Sequence, residues 1–397
     1  MKAKKPPEGG CRERTGRPNS SGRNDRMNEK NFEKAVQLRH ELHMHPELSM
    51  VETWTKNHLI EFMKANTTKW EVVDRGHWFY AYYKGSEPKK TIAFRGDFDA
   101  IPVYDDIDKE YKSQIDGVGH KCGHDGHVAN LCLTAMEMEE QGCENDVYLV
   151  FQHGEEIGGG GEECAQLMEE KSVDEVYAFH NQSGMPLNAV VTRKGTLCCA
   201  SKGMEIMLTG TPAHASTPEH GKNPSLAIAA LIKAVPGFIK PEEHKGLILA
   251  TVVQVDIGER AFGVSAHKGR LALTIRGEIE DEMDQLQKNL EDLAQAEAEK
   301  YGLECSFAYC DIFPETASTD AEIDKVKAVC DKLGVPVIWQ ELPTRGSEDF
   351  GYFTKKAPGA IFWLGNGEDA APVHDSKFDF PDEIMKTATA IFMELAK

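Results

Sequence analysis

The sequence predicts an α/β protein with a mostly parallel central sheet, into which a smaller α+β unit of two helices and four strands is inserted. Three observations predict it. At 397 residues the chain exceeds the roughly 250–300 residues at which single cores stop growing and chains divide. Helical and strand periods alternate over residues 28–194 and again over 310–397, the pattern of a sheet layered with helices. Residues 195–309 instead run strand, helix, strand, strand, helix, strand, which is the grammar of a compact α+β unit.

The elements follow in order. Residues 1–26 hold eight Lys/Arg, three Asp/Glu and no Val, Ile, Leu, Phe, Trp or Tyr. They cannot bury a core, so a disordered basic leader is expected over 1–27 and is set outside the fold. Phe32, Val36, Leu38 and Leu42 recur at helical spacing over 31–43, and Pro46 closes that segment. Trp78, Tyr80, Tyr82 and Tyr83 are distributed along a strand, where packing is the simplest role for them. Short apolar runs at 91–94, 147–151 and 176–179 predict buried strands, and the breaker-free stretch 126–140 between the first two predicts a helix. The inserted unit is read as strands at 205–208, 247–255, 271–275 and 304–308 with helices at 224–234 and 281–300. A helix at 320–333, strands at 335–339 and 360–364 and a closing helix at 381–396 complete the chain. There is no internal repeat.

Composition narrows the class. A net charge of -20 disfavours nucleic acid and anionic membrane surfaces, both of which want a basic face. No run approaches the roughly 18 apolar residues of a membrane helix, and the N-terminus lacks the apolar core of a secretory signal, so the cytoplasm is the expected compartment. The ten cysteines are scattered without a disulfide-type spacing and are expected to be reduced and mostly buried. Cys198 and Cys199, inside an apolar run, read as small core residues.

The residues able to do chemistry cluster at predicted strand ends. GHKCGHDGH, residues 119–127, places Cys122, His124, Asp125 and His127 just before a predicted helix. A thiolate and an imidazole two residues apart on a turn can converge on one borderline cation. FQHGEE, residues 151–156, ends a predicted buried strand in two carboxylates, and active sites of parallel sheets lie at the carboxyl ends of strands. Neighbouring loop residues can face different ways, so of Glu155 and Glu156 one can hold metal while the other stays free as a base. His180 ends the 176–179 strand and His374 follows the 360–364 strand, so both can reach the same sheet edge. The combination predicts a shared metal site.

FRGDFDAIP (94–102), GHKCGHDGH, FQHGEE, the isolated His180, PAHASTPEHGKNP (212–224), SEDFGYF (347–353) and PVHDSKFDFPDE (372–383) occur in this order. Together they resemble the motifs of the aminoacylase/carboxypeptidase family of two-metal amidohydrolases, in the branch with hippurate hydrolase, auxin-conjugate hydrolases and N-acetyldiaminopimelate deacetylase. The resemblance spans residues 31–397. It implies a catalytic α/β domain in two parts, 28–194 and 310–397, with a lid or dimerisation domain at 195–309. By motif position, Cys122, His124, Glu156, His180 and His374 would hold two divalent cations, zinc or manganese first and cobalt or nickel as alternatives, with Glu155 as general base. Asp97 falls where the family has an acidic residue that orients a ligand. His214 falls where relatives polarise the scissile carbonyl, sometimes across a dimer interface. Arg276 matches a lid arginine suited to a substrate carboxylate.

The implied activity is hydrolysis of a small amide, an N-acyl amino acid or similar conjugate, with a homodimer through the inserted domain as the expected assembly. A dipeptidase would use the same site. A catalytically silent metal-binding scaffold is the reading from another class, and the complete set of ligands plus Glu155 speaks against it. Two departures from the family pattern stand out: His153 before the paired glutamates, and Gly263 where relatives carry an asparagine.

Overall fold

The computed structural model describes residues 27–397, so the expected leader over 1–27 lies outside the described residues apart from Met27. The strands in chain order are β1 (Trp70–Asp74), β2 (Phe79–Tyr83), β3 (Thr91–Asp97), β4 (Asp146–Gln152), β5 (Glu175–Gln182), β6 (Val190–Thr192) and β7 (Gly195–Cys198). They continue with β8 (Ala200–Thr209), β9 (Ile248–Ile257), β10 (Lys268–Gly277), β11 (Glu304–Phe313), β12 (Thr316–Ser318), β13 (Val337–Trp339) and β14 (Gly359–Gly365). Eight of these form one sheet in the order β1-β2-β4-β3-β5-β14-β6-β13. Its centre, β4-β3-β5-β14, is parallel throughout; antiparallel pairs occur toward the two sides. The α/β class expected from alternation is therefore the observed one.

The central strands read as near-continuous apolar runs because helices cover both faces of the sheet. On one face the helix His124–Gln141 is buried from its first residue to Met138. It packs between the sheet, the helix Glu29–Met44 and the helix Ile384–Leu395. That burial fixes its N-terminal end, and with it His124. The opposite face is covered by the helix Gly161–Glu170 and the short helix Gly351–Thr354, through Leu167, Met168, Phe350 and Phe353.

A second, antiparallel sheet is ordered β11-β8-β10-β9 and backed by the helices Ser225–Phe238 and Glu280–Tyr301 around Met204, Ile206, Leu231, Leu273 and Leu290. Its strands outrun the expected segments. Alternation along β8 and β10 continues to both ends of a ten-residue ladder, but where the outward residues are polar a short apolar run marks only the middle. The helices Thr53–Asn66 and Gly161–Glu170 and the strand β1 go beyond the sequence reading; their buried stripes are brief, as with Leu59, Ile60 and Met63 in the first. No described helix is long and apolar enough to cross a membrane.

Candidate active site

The carboxyl ends of β3, β4, β5 and β14 open on one side of the sheet. The chain delivers to it Asp97 and Asp99 after β3, Glu155 and Glu156 in a 3-10 turn after β4, His180 within β5, and His374 in the loop after β14. Cys122 and His124 arrive at the start of the helix His124–Gln141. Gly123 makes that start possible: its φ is +101°, and a Cβ there would lie 2.2 Å from Asn181 Oδ1, a position open only to glycine. His374 sits at φ +66°, and its N–H donates to the Lys121 carbonyl at 2.6 Å, which ties the His374 loop to the Cys122 loop.

Donor atoms face one another at distances suited to co-ligands of a cation. Glu156 Oε1 lies 3.4 Å from His374 Nε2 and 3.8 Å from His124 Nε2. Cys122 Sγ lies 3.4 Å from His180 Nε2. Among the described residues, His124 Nε2 and Glu156 Oε1 are buried without a hydrogen-bond partner, a costly arrangement unless something else binds them. Cys122, His124 and His180 form one group of convergent donors, and Cys122, Glu156 and His374 form another. Two groups that share the thiol and are otherwise imidazole and carboxylate fit a pair of divalent cations.

Electrostatics agree. Burial, then Glu156 and Glu155, push the Cys122 thiol well above its ordinary value. Burial opposes charge on His124, but Asp97 and then Asp99 outweigh it and hold the imidazole up to about 10. Such a negative field retains protons that divalent cations would displace on binding. Burial, then Glu348 and Asp349, raise Glu155 well above the carboxylate range.

The residue that orients His124 is Asp99. His124 Nδ1 lies 3.0 Å from the Asp99 carbonyl and 3.1 Å from Asp99 Oδ1, which turns Nε2 toward the donors. Asp99 Oδ2 also accepts from Glu156 N at 2.9 Å and Ser49 Oγ at 2.7 Å. Asp97 instead sits 2.6 Å from His127 Nδ1, and His127 Nε2 meets Asn181 Oδ1 at 2.8 Å. Asp99 lies inside the FRGDFDAIP motif, and its second carboxylate at a strand end is the signal that could have found it. Asp99→Asn should weaken metal binding by about 10–100-fold. Titration of metal-stripped protein with zinc, followed by tryptophan fluorescence, checks this; unchanged affinity would remove Asp99 from that position.

A cavity of about 440 Å³ adjoins these donors. Arg276, on β10, lines it, as do Glu155, Glu348, Phe313 and Trp363. Arg276 Nη1 donates to the Arg345 carbonyl at 2.9 Å and to Ser347 Oγ at 2.8 Å; it forms no ion pair among the described residues. His214 is not among the lining residues. It follows β8, which lines the cavity as far as Gly203 and then runs on to Thr209, and six residues of strand cover about 20 Å. His153, the sequence departure, is fully buried and stacks on His77 with ring centroids 5.4 Å apart; it does not line the cavity. Gly263 also lies away from the cavity, in the loop that meets Ala215.

Comparison with known proteins shows the family and the fold. The family model described as peptidase family M20/M25/M40 matches residues 93–397. An N-acetylcysteine deacetylase of Bacillus subtilis (strain 168) is 26% identical over 373 residues, 91% of this chain and 95% of its own length. An N-acetyldiaminopimelate deacetylase of Lactobacillus helveticus is 28% identical, covering 88% of this chain and 92% of its own. Among solved structures, a dinuclear metal-binding peptidase of the M20 family from Bacillus subtilis superposes with a TM-score of 0.79 at 23% identity, over 93% of this chain and 98% of that one.

Proposed function

The chain belongs to peptidase family M20/M25/M40, and from that premise we propose that it hydrolyses the amide bond of an N-acyl amino acid or similar small conjugate, releasing a carboxylic acid and an amine. The observation that carries the reading is the convergence of Cys122, His124, Glu156, His180 and His374 on one sheet edge beside a cavity holding Glu155 and Arg276. The five would hold two divalent cations; the thiol and three imidazoles favour zinc, and the carboxylate admits manganese. Bound there, such cations supply Lewis acidity and acidify water.

The remaining chemistry belongs to side chains. Glu155, 5% exposed and one residue from Glu156, takes the proton of the attacking water and delivers it to the leaving nitrogen. Arg276, anchored by Ser347 and the Arg345 carbonyl, offers its remaining N–H groups to the carboxylate of the amino-acid part. Asp99 keeps His124 in place, and Asp97 does the same for His127. We divide the chain at 28–194, 195–309 and 310–397, and the cysteines, free of disulfides among the described residues, fit a reducing compartment such as the cytoplasm.

The test is amine release from N-acetyl, N-benzoyl and other N-acyl amino acids beside free dipeptides, using metal-stripped protein reloaded with zinc or manganese. Turnover of acylated substrates that depends on metal supports the reading. Turnover of dipeptides alone would replace it with a dipeptidase.

A homodimer is part of this proposal. β9 is an outer strand of its sheet, and Val253, Val255 and Ile257 on it are exposed, as are Val264 and, at 90%, Phe262 in the loop that follows. An open apolar edge of this kind is a template for pairing with a second copy. His214, bridged to Val264, lies at the same end of the sheet, so pairing there lets it complete the cavity of a second copy as a donor to the carbonyl oxygen. His214→Ala and Glu155→Gln proteins, each inactive alone, should then regain activity on mixing under conditions of subunit exchange. Continued inactivity of a verified mixed dimer would place His214 in its own chain's site or outside catalysis.

A further inference from the structure

β11 does not end as a regular strand. Its ladder with β8 runs from Glu304 opposite Thr209 to Cys310 opposite Gly203, then resumes with Phe313 opposite Ser201. Asp311 and Ile312 are therefore bulged out across from Lys202. Asp311 takes φ +47°, a left-handed conformation uncommon outside glycine, and bulges beside active sites commonly serve to re-aim a side chain. The bulge seats on the metal-site loop: a Cβ on Gly158 would lie 2.5 Å from the Ile312 carbonyl oxygen. Asp311 itself lines the 440 Å³ cavity together with Arg276.

The charges in that cavity are unmatched. Asp311 forms no ion pair among the described residues. Lys202, the cation across from it, is already engaged by Asp284 Oδ1 and Gln287 Oε1, both at 2.8 Å. Arg276 has no carboxylate partner among the described residues either. Apart from Glu155 and Glu156 at the metal-site end, the cavity thus presents Arg276 as a cation and Asp311 as an anion that no ion pair among the described residues engages, with Phe313 and Trp363 as apolar wall. An α-amino acid with an aliphatic stem and a second amino group has the complementary pattern. The net charge of -20 also attracts a cationic substrate more than an anionic one.

We propose that the cavity selects N-acyl derivatives of amino acids that carry a second, cationic amino group, Arg276 taking the α-carboxylate and Asp311 the distal ammonium. This specificity rests on the amidohydrolase reading. Asp311 acts on substrate choice and leaves the bond-breaking groups untouched.

The experiment compares kcat/KM for Nα-acetyl-L-ornithine and Nα-acetyl-L-lysine with that for the uncharged Nα-acetyl-L-norleucine, in wild type and Asp311→Asn, alongside calorimetric binding of free L-ornithine and L-norleucine. Asparagine tolerates the left-handed conformation, so this variant keeps the bulge and removes only charge; a circular dichroism melt checks its fold. The expected result is a preference of about tenfold or more for the basic substrates. Asp311→Asn should lose it, with norleucine turnover unchanged. Equal turnover and equal binding of the two classes, or a preference that survives Asp311→Asn, would overturn the proposal and leave the amidohydrolase intact. Ornithine binding that depends on Asp311 in a protein that hydrolyses none of the amides would keep the proposal and sink the amidohydrolase reading instead.

Discussion

Glu155→Gln is expected to lower kcat by about 10²–10⁴-fold while both cations stay bound. Glu155 lies beside Glu156 in the turn after β4, with a carboxylate oxygen 3.9 Å from His124 Nε2, and it lines the cavity. Its surroundings are acidic. Burial and the charges of Glu348 and Asp349 raise its affinity for a proton, which suits a group that must accept one from water and give it to an amine. Glutamine has the same shape and cannot carry the proton. Metal content by elemental analysis separates the alternatives. Turnover lost with metal kept marks a base; metal lost as well marks Glu155 as a ligand, as its place in a donor group with His124 and Glu156 would allow. Turnover kept would remove Glu155 from the chemistry.

Arg95→Met is expected to destabilise the protein by about 3–5 kcal/mol, because removing one member of a buried ion cluster strands the others. Arg95 is 2% exposed. Its guanidinium lies 2.6 Å from Asp97 Oδ2, 3.0 Å from Glu348 Oε1 and 2.7 Å from Asp349 Oδ1, and its Nε donates to Gln152 at 2.8 Å. Asp349 in turn accepts from Gly161 N at 2.9 Å, at the start of the helix Gly161–Glu170. One cation therefore ties β3, the end of β4, that helix and the Glu348 loop together. The cluster is short of positive charge even when intact. Burial, opposed by Arg95 and reinforced by Glu348, raises Asp349 to about 8.

Without Arg95, which holds it down, Asp349 binds its proton still more tightly in the folded than in the unfolded chain. Groups with a raised folded pKa stabilise below the unfolded value and lose that contribution as pH rises. The deficit of the variant should accordingly be smaller at pH 5 than at pH 8, in thermal melts against wild type. A deficit independent of pH would show that lost packing, and not stranded charge, sets the cost. Arg95→Lys should fall between the two, since lysine keeps the charge and loses the planar fork.

What the sequence determined by itself was whatever is local along the chain. Cys122 with His124, and Glu155 with Glu156, are neighbours, and a strand period running into a ligand-type residue already states which sheet edge receives it; the ordered motifs then carried the family. The mostly parallel sheet and the inserted α+β unit were legible for the same reason, since their periods differ over long stretches. The tertiary structure decided what depends on residues far apart in sequence. Asp99 orients His124 because β3 ends beside the start of a buried helix, and Arg95 meets Asp349 across 254 positions. His214 is carried away from its own cavity by the length of β8, and Asp311 enters that cavity through a one-residue register shift against β8. Register and reach are cross-strand properties set by packing between whole elements, and no window of sequence contains both partners.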